Sequence, residues 1–224
     1  MNHYFFDGVR DAPLTHLIRL IAASASLALA TLATSALAVD VAGVKVDERA
    51  KLAGQDLVLN GAGIRYAAAG FVRVYVAALY LPQKKNTSIE IGALKGPRHM
   101  QLTLLREINS NDFSKALLAG MRANLSAAEQ QRHFDSLLKL GSIFGQIPSL
   151  KKGETISVDS VPGVGTMILV NGKRVGEVFQ DETFFQALLQ IWVGPKPIDD
   201  SLKPVLLGTV ASNDNSVNTT RDRF

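Results

Sequence analysis

Two apolar runs separated by a glycine-containing corner form the most regular hydrophobic pattern of the chain, at residues 57–81. β-Branched and aromatic residues dominate both runs, and the second run alternates between two faces, which is typical of β-strands. Gly61 and Gly63 indicate a bulge or the close approach of another segment, and Gly70 indicates the turn between the strands. The pattern therefore predicts a hairpin at the centre of a sheet.

The second run, residues 71–81, is largely apolar on both faces. Strict alternation places Phe71, Arg73 and Tyr75 on one face, and we expect a central strand that is covered on at least one side. Arg65 lies in the first run. Because a buried unpaired guanidinium costs several kcal/mol, Arg65 or Arg73 in such a sheet requires an anionic partner or a solvated cleft.

The remaining strands are shorter and less regular. Asn171-Gly172 lies between the last two of them and is a strong signal for a type I′ hairpin turn, which requires positive φ at both positions. A Pro-Lys-Lys loop after residue 81 ends the central hairpin, and residues 87–96 show no clear pattern. The predicted strands are 39–46 (an edge strand), 98–108, 154–159, 166–170 and 174–179.

Helical periodicity begins after the third predicted strand. Asn111 or Asp112 is suited to cap a helix that ends near residue 124, and Ser126 with Glu129 forms a capping box for a second helix. A third helix is predicted at 182–193 and a short fourth one from Asp199 or Asp200 to about residue 207. Strands, then helices, then a hairpin and helices indicate the α+β class.

A short apolar run, residues 20–33, follows Arg19 near the start of the chain. The small-residue motif SALA at 35–38 comes next, and this layout is typical of a secretory signal peptide. We therefore expect a signal peptide over 1–38, cleavage after Ala38, and an exported, periplasmic protein. An uncleaved anchor is the alternative, although the run is shorter than a membrane span requires. No stable membrane span is expected after cleavage, and residues 210–224 are predicted to be disordered.

Composition narrows the possible chemistry. The chain of 224 residues has no cysteine, so disulfides, thiolate metal sites and cysteine nucleophiles are excluded. Its four histidines have no metal-site spacing, and we expect neither a metal nor a cofactor. The net charge is +4, and the basic pairs Lys84-Lys85, Lys151-Lys152 and Lys173-Arg174 are scattered. Nucleic-acid binding is therefore not expected.

The motif NGAGIR at 60–65, a short turn and FVRVYVAALYL at 71–81 resemble the start of the chalcone isomerase family. In that family a Gly-Gly-Ala-Gly-x-Arg strand precedes an aromatic-aliphatic-basic strand that ends in a Tyr-Leu pair. The resemblance continues more weakly through residues 42–209, and we assign 39–209 to one domain. It implies a chalcone isomerase-like open-faced β-sandwich, with an antiparallel sheet covered on one face by a layer of helices and a ligand cleft between them.

The resemblance also implies which residues act. Arg65 matches the arginine that binds the substrate anion in the ring-closing isomerases. The threonine position of those enzymes is Tyr75 here, and the tyrosine position falls on Phe113. The asparagine falls near Gly120, and a late Thr or Ser position falls near Ile191. The anion-holding group is therefore kept, and the array of hydroxyl groups is not.

In the fatty-acid-binding branch of this fold an Arg–Tyr pair holds the carboxylate, and Arg65 with Tyr75 resembles that pair. This implies an exported protein that binds a fatty acid or a similar amphipathic carboxylate and carries no catalytic residue. The further ligand-binding candidates are Arg73, Phe113, Leu117 and Met121, with Phe185, Leu188 and Trp192 as other possible cleft residues.

Two alternatives remain open. The first is an isomerase that acts on a phenolic, chalcone-like enone. The second is a non-catalytic module that binds a partner protein, with a filled cleft and Arg65 paired internally to Glu107 or Asp159. The residues do not indicate the oligomeric state.

Overall fold

A computed structural model of the protein describes residues 38–68, 70–147, 149–211 and 213–214. The predicted signal peptide, residue 38 excepted, lies outside the described residues. The strands are β1 Ala38–Val41, β2 Val44–Asp47, β3 Arg49–Leu52, β4 Gln55–Ala67, β5 Val72–Leu81, β6 Arg98–Leu104, β7 Ile108–Asn109, β8 Ser149–Leu150, β9 Thr155–Val161, β10 Gly165–Val170 and β11 Lys173–Phe179. Seven of them form the antiparallel sheet at the centre of the domain, in the order β11-β10-β9-β6-β5-β4-β3.

Helices cover one face of this sheet, as the resemblance to the chalcone isomerase family implies. Their buried side chains form one core with the inner face of the sheet, in which Leu79, Phe144 and Trp192 are among the largest fully buried residues. The helices are α1 Ser88–Ala93, α2 Ser110–Asn124, α3 Ala127–Arg132, α4 Phe134–Gly145, α5 Phe184–Val193 and α6 Leu202–Leu206.

The outer face of β4 and β5 carries a smaller apolar cluster. Val76, Ala78 and Tyr80 of β5 pack there against Val41 and Val46 of the β1–β2 hairpin. The sequence predicts one edge strand at 39–46, whereas the structure has two short strands joined by a turn at Ala42 and Gly43, both with positive φ. The central strands are therefore buried on both faces, in agreement with their apolar pattern.

A bulge at Asn60 lets α6 approach the backbone of β4. The register shifts between Leu59 and Gly61, and the Asn60 side chain exchanges hydrogen bonds with the Lys85 backbone and donates to the Leu206 carbonyl at 2.6 Å. A Cβ at Gly61 would overlap the carbonyl oxygen of Val205. The predicted close approach at Gly61 is confirmed, and its partner is the last helix.

A second bulge sets the direction of the side chains in β5. Arg65 pairs with Tyr75 and Tyr66 pairs with Arg73, so Val74 has no opposite residue on β4. Val74 is buried in the inner core beside Tyr75, and Tyr66 packs against the outer cluster. The prediction of one face for Arg73 and Tyr75 is therefore wrong, because the bulge interrupts the alternation between them.

Several boundaries differ from the sequence prediction. The unpatterned segment 87–96 contains α1, capped by Thr87, and the long helix predicted after Ser126 is broken at His133 into α3 and α4. Asn109 caps α2, two residues earlier than expected. The type I′ turn at Asn171-Gly172 is confirmed by its φ angles of 50° and 74°.

The part of the predicted tail that is described is attached to the domain. The Asn213 side chain accepts the Ile64 amide hydrogen at 2.8 Å and donates to the Ile64 carbonyl at 2.6 Å. Asp214 accepts the amide hydrogen of Ala42 at 3.2 Å. Residues 215–224 of that prediction lie outside the described residues.

Candidate functional site

Arg65 and Tyr75 lie directly opposite each other on the adjacent strands β4 and β5. The guanidinium carbon of Arg65 is 5.6 Å from the centroid of the Tyr75 ring, so the cation stacks on the aromatic face. Opposite residues of an antiparallel pair have neighbouring side chains, and the register alone brings these two together. The structure therefore places the two central residues of the predicted site in contact.

Tyr75 is held from the helical side by Trp192 of α5. The indole N–H of Trp192 donates to the Tyr75 hydroxyl oxygen at 2.8 Å, and both side chains are buried. The hydroxyl keeps its own hydrogen for a second hydrogen bond. Burial raises the pKa of Tyr75 to about 12, because its effect exceeds the lowering of the pKa by the Arg65 charge and by the hydrogen bond from Trp192. The phenol is therefore neutral near pH 7.

Arg65 also lines a cavity of about 630 Å³ at the end of the β4–β5 hairpin. Asp199 lies in its wall, but its oxygens are engaged: the Tyr66 amide donates to one at 2.6 Å, and the Ser201 amide and hydroxyl donate to the other at 2.8 Å. The cavity is lined by Arg65, Tyr66, Ala67, Ala68, Gly70, Ile198, Asp199, Asp200, Ser201 and Asn213.

Arg65 forms neither a salt bridge nor a side-chain hydrogen bond within the described part of the chain, and its Nε atom is buried without a partner. Asp159, an alternative internal partner, is 2.5 Å from Nδ1 of His99 instead. Glu107 is exposed and forms no such bridge with Arg65. The guanidinium is thus stacked on a ring without an anion of its own, an arrangement suited to accept an external carboxylate.

The other predicted binding residues lie elsewhere. Phe113, Leu117 and Met121 of α2 are at most 5% exposed and belong to the inner core, where Phe113 contacts Phe144 edge-on. They face the sheet and line none of the cavity around Arg65. Arg73 is exposed and pairs with Tyr66 on the far side of the bulge, so the structure does not bring it to Arg65.

Two of the predicted counterparts of the isomerase hydroxyl array, Gly120 and Ile191, lie in a contact between helices. A Cβ at Gly120 would lie 2.9 Å from the Ile191 side chain, so these two residues set the contact between α2 and α5. Asn124, one turn later, uses its side chain to bond the backbone of Lys196 and Gly120. These residues join two helices and present no hydroxyl group.

Within the part of the chain that the structure describes, no group of three or more histidine and acidic side chains is arranged to hold a metal ion.

Among the same residues, no helix has the length and apolar character that a transmembrane segment requires.

Two contributors to the site were not predicted as such. Trp192 is read from the sequence as a packing residue or a possible cleft residue, although a buried indole N–H requires an acceptor and this requirement points to a polar neighbour. Asp199 is read as a helix cap, but the N-cap residue of α6 is Ser201; the Asp199 carboxylate accepts the Ser201 amide hydrogen and also binds the β4 backbone. No pattern in the sequence indicates that second contact, because it joins segments 133 residues apart.

An antiparallel sheet covered by helices, with an arginine stacked on a buried tyrosine at one end, defines an α+β open-faced sandwich with a candidate anion-binding cavity. The chain belongs to the chalcone isomerase-like family, whose model matches residues 38–208. This confirms the resemblance seen in the NGAGIR and FVRVYVAALYL motifs.

Comparison with solved structures supports the same fold. The chain is similar to the crystal structure of a fatty-acid binding protein from Arabidopsis thaliana, with a TM-score of 0.55 and 16% sequence identity. The match covers 75% of this chain and 93% of that one. A comparison with curated proteins gives no match.

Proposed function

We propose that the protein binds a fatty acid or a similar amphipathic carboxylate, with Arg65 and Tyr75 at the head group. The observation that carries this proposal is the Arg65 guanidinium, which lines the cavity and stacks on Tyr75 without a carboxylate within salt-bridge distance in the described residues. The fatty-acid-binding relative of the same fold is consistent with a ligand of this class.

The two side chains are complementary to a carboxylate. A guanidinium donates two parallel hydrogen bonds to the two oxygens, and the neutral Tyr75 hydroxyl can add a third. Because the pKa of Tyr75 is raised to about 12, the phenol does not become an anion that repels the head group at neutral pH. Trp192 fixes the hydroxyl oxygen from the other side.

The cavity beside Arg65 suits the head group better than the alkyl chain. Its volume lies within the range of roughly 300–1,000 Å³ for small-molecule sites, but Asp199, Ser201 and Asn213 make its lining polar. The alkyl chain is proposed to extend between the sheet and α2, toward Phe113, Leu117 and Met121. These side chains are already buried, so α2 must move away from the sheet for the chain to enter.

The test is extraction and mass spectrometry of the small molecules that co-purify with the full chain. We expect fatty acids with the wild type and a loss of at least about tenfold in Arg65→Ala, since a hydrogen bond to a charged group contributes roughly 1.5–3 kcal/mol. Arg73→Ala is the matched control, because this arginine is exposed and lies beyond the bulge. Equal amounts of fatty acid in Arg65→Ala would contradict the assignment. An empty wild type would favour the partner-binding alternative.

We also propose that the protein is exported to the periplasm after cleavage behind Ala38. The proposal rests on the apolar run and the SALA motif before the domain. The family match, which begins at residue 38, supports a domain boundary at this position.

A further inference from the structure

Four connections of the domain lie together at one end of the sheet. The amide of Leu105 donates to the Val74 carbonyl, and the Gly153 amide donates to the Leu104 carbonyl. The Asn171 amide in turn donates to the Thr155 carbonyl. These bonds join the start of β5, the segment after β6, the turn before β9 and the β10–β11 turn. We call this surface, residues 70–74, 105–107, 151–154 and 171–174, the basic end.

Exposed cations are concentrated at the basic end, although they are scattered in the sequence. None of their side chains forms a salt bridge with a described carboxylate. Antiparallel topology brings them together, because β5, β9 and β11 start where β6 and β10 end. The cations are Arg73, Arg106, Lys151, Lys152, Lys173 and Arg174.

Carboxylates at this end are fewer. Glu107 is exposed there, and Glu154 has both oxygens engaged, one by the Lys151 amide at 2.7 Å and the other by the Asn171 side chain at 3.0 Å. Asp199 and Asp200 lie next to the basic end, in the wall of the cavity beside Arg65. The excess of exposed cations gives the basic end a positive potential, which attracts an anionic surface.

An apolar side chain projects from the same end. Phe71 follows the β4–β5 turn, in which Gly70 has a φ of +93°, and it is 88% exposed. Transfer of an exposed phenyl ring from water into the interface of a bilayer is favourable, because it removes apolar surface from water. Cations around one aromatic side chain are the combination that binds an anionic membrane surface.

We propose that the basic end docks on bilayers that contain anionic lipid, with Phe71 inserted at the level of the head groups. A single-stranded nucleic acid would also be attracted by the cations, but binding of that kind uses several aromatic side chains for base stacking. Phe71 is the exposed aromatic residue that the structure describes at this end. The charge and the single apolar tip therefore favour a lipid surface.

The candidate cavity opens at the same end. Ala67, Ala68 and Gly70 of the β4–β5 turn form part of its lining, so docking would bring its mouth to the bilayer. Transfer of a carboxylate ligand between membrane and cavity would follow, and only this step rests on the proposed function. Docking itself does not require a ligand.

Co-sedimentation of the full chain with phosphatidylcholine vesicles, with and without about a third of phosphatidylglycerol, tests the proposal. We expect binding to the anionic vesicles that weakens as salt rises. Lys151→Ala combined with Lys152→Ala should reduce the affinity by about 25-fold, from roughly fivefold for each cation near the surface. Phe71→Ala should reduce it by about tenfold.

Matched controls exist at the opposite end of the sheet. Lys84 and Lys95 are exposed near the end of β5 and the start of β6, and Ile89 of α1 is 83% exposed. Lys84→Ala with Lys95→Ala, and Ile89→Ala, should leave vesicle binding within about twofold. Equal losses in these controls, equal binding to neutral vesicles, or tighter binding to a single-stranded oligonucleotide would overturn the proposal.

Failure of docking and failure of ligand binding are separable. Phe71→Ala should retain co-purified fatty acid, because Phe71 is not part of the cavity lining. Fatty acids in the purified protein without vesicle binding would overturn docking and leave the proposed function in place. Vesicle binding without any co-purified fatty acid would support docking and contradict the proposed function.

Discussion

The Tyr75 side chain contacts both the Arg65 guanidinium and the Trp192 indole. Its ring carries the Arg65 guanidinium, and its hydroxyl oxygen accepts the Trp192 N–H. The resemblance to the fatty-acid-binding branch of the fold implied the pair of Arg65 and Tyr75, and the register of β4 and β5 places the two residues opposite each other. The contact with Trp192 was not predictable, since it spans 117 positions in the sequence. The bulge at Val74 was not predictable either, because the alternation of side chains between the two faces does not show where an extra residue is inserted.

Tyr75 makes the stability of the domain sensitive to high pH. An acid whose pKa rises on folding stabilises the protein fully below its unfolded pKa of 10.0 and loses this contribution as pH rises toward about 12. Tyr75→Phe should therefore flatten the fall in unfolding free energy between pH 10 and 12, by about 2–3 kcal/mol. Urea unfolding followed by circular dichroism measures this difference.

Tyr80 provides the comparison. Burial raises its pKa to about 12 as well, with the charge of Asp47 adding to the shift. The wild type therefore titrates two buried phenols in this range, and Tyr75→Phe should keep the part of the slope that Tyr80 contributes. A slope identical to that of the wild type would show that Tyr75 is accessible to water in the folded protein.

At the scale of elements, the contact between α6 and β4 depends on the absence of a side chain. Gly61 lies under the Val205 carbonyl, and the Asn60 bulge turns an amide toward the end of the same helix. The sequence indicated a close approach at this glycine but not which segment approaches. Helix α1 was missed because six residues with one buried side chain, Ile91, show no apolar stripe.

Gly61→Ala should destabilise the domain by about 3 kcal/mol, because the added methyl overlaps backbone atoms that cannot rotate away. The matched control is Gly145→Ala at the end of α4, where a Cβ meets no atom within 4 Å. This control should be neutral or stabilise by about 0.5–1 kcal/mol, since alanine favours helix. Chemical denaturation of both variants measures the difference, and comparable losses would show that α6 adapts easily.

For the whole molecule, the α+β class followed from the order of the patterns, and the helical cover on one face from the resemblance to the chalcone isomerase family. The arrangement of charge followed from neither, since it depends on which connections meet at one end of the sheet. Lys151-Lys152 and Lys173-Arg174 are separate pairs along the chain, and strand pairing places them on one surface. Side-chain periodicity reports the faces of a sheet and gives no information about its ends.

Export is a prediction for the whole chain. The intact mass of the protein recovered from the periplasmic fraction should correspond to a chain that starts at Val39, because the motif at 35–38 places cleavage after Ala38. Ala38→Arg should block processing and leave the precursor in the membrane fraction. A mature mass that retains residues 20–33 in the wild type would instead show an uncleaved anchor.

Trp192 is the single tryptophan of the chain. Its indole nitrogen lies 2.8 Å from the hydroxyl oxygen of Tyr75, whose ring carries the Arg65 guanidinium. Intrinsic fluorescence excited at the indole therefore originates from one place, the buried hydrogen-bond partner of Tyr75. Emission wavelength and quenching can be followed during a ligand titration without any label, and one optical signal then reports both the occupancy of the site and the hydration of the core around it.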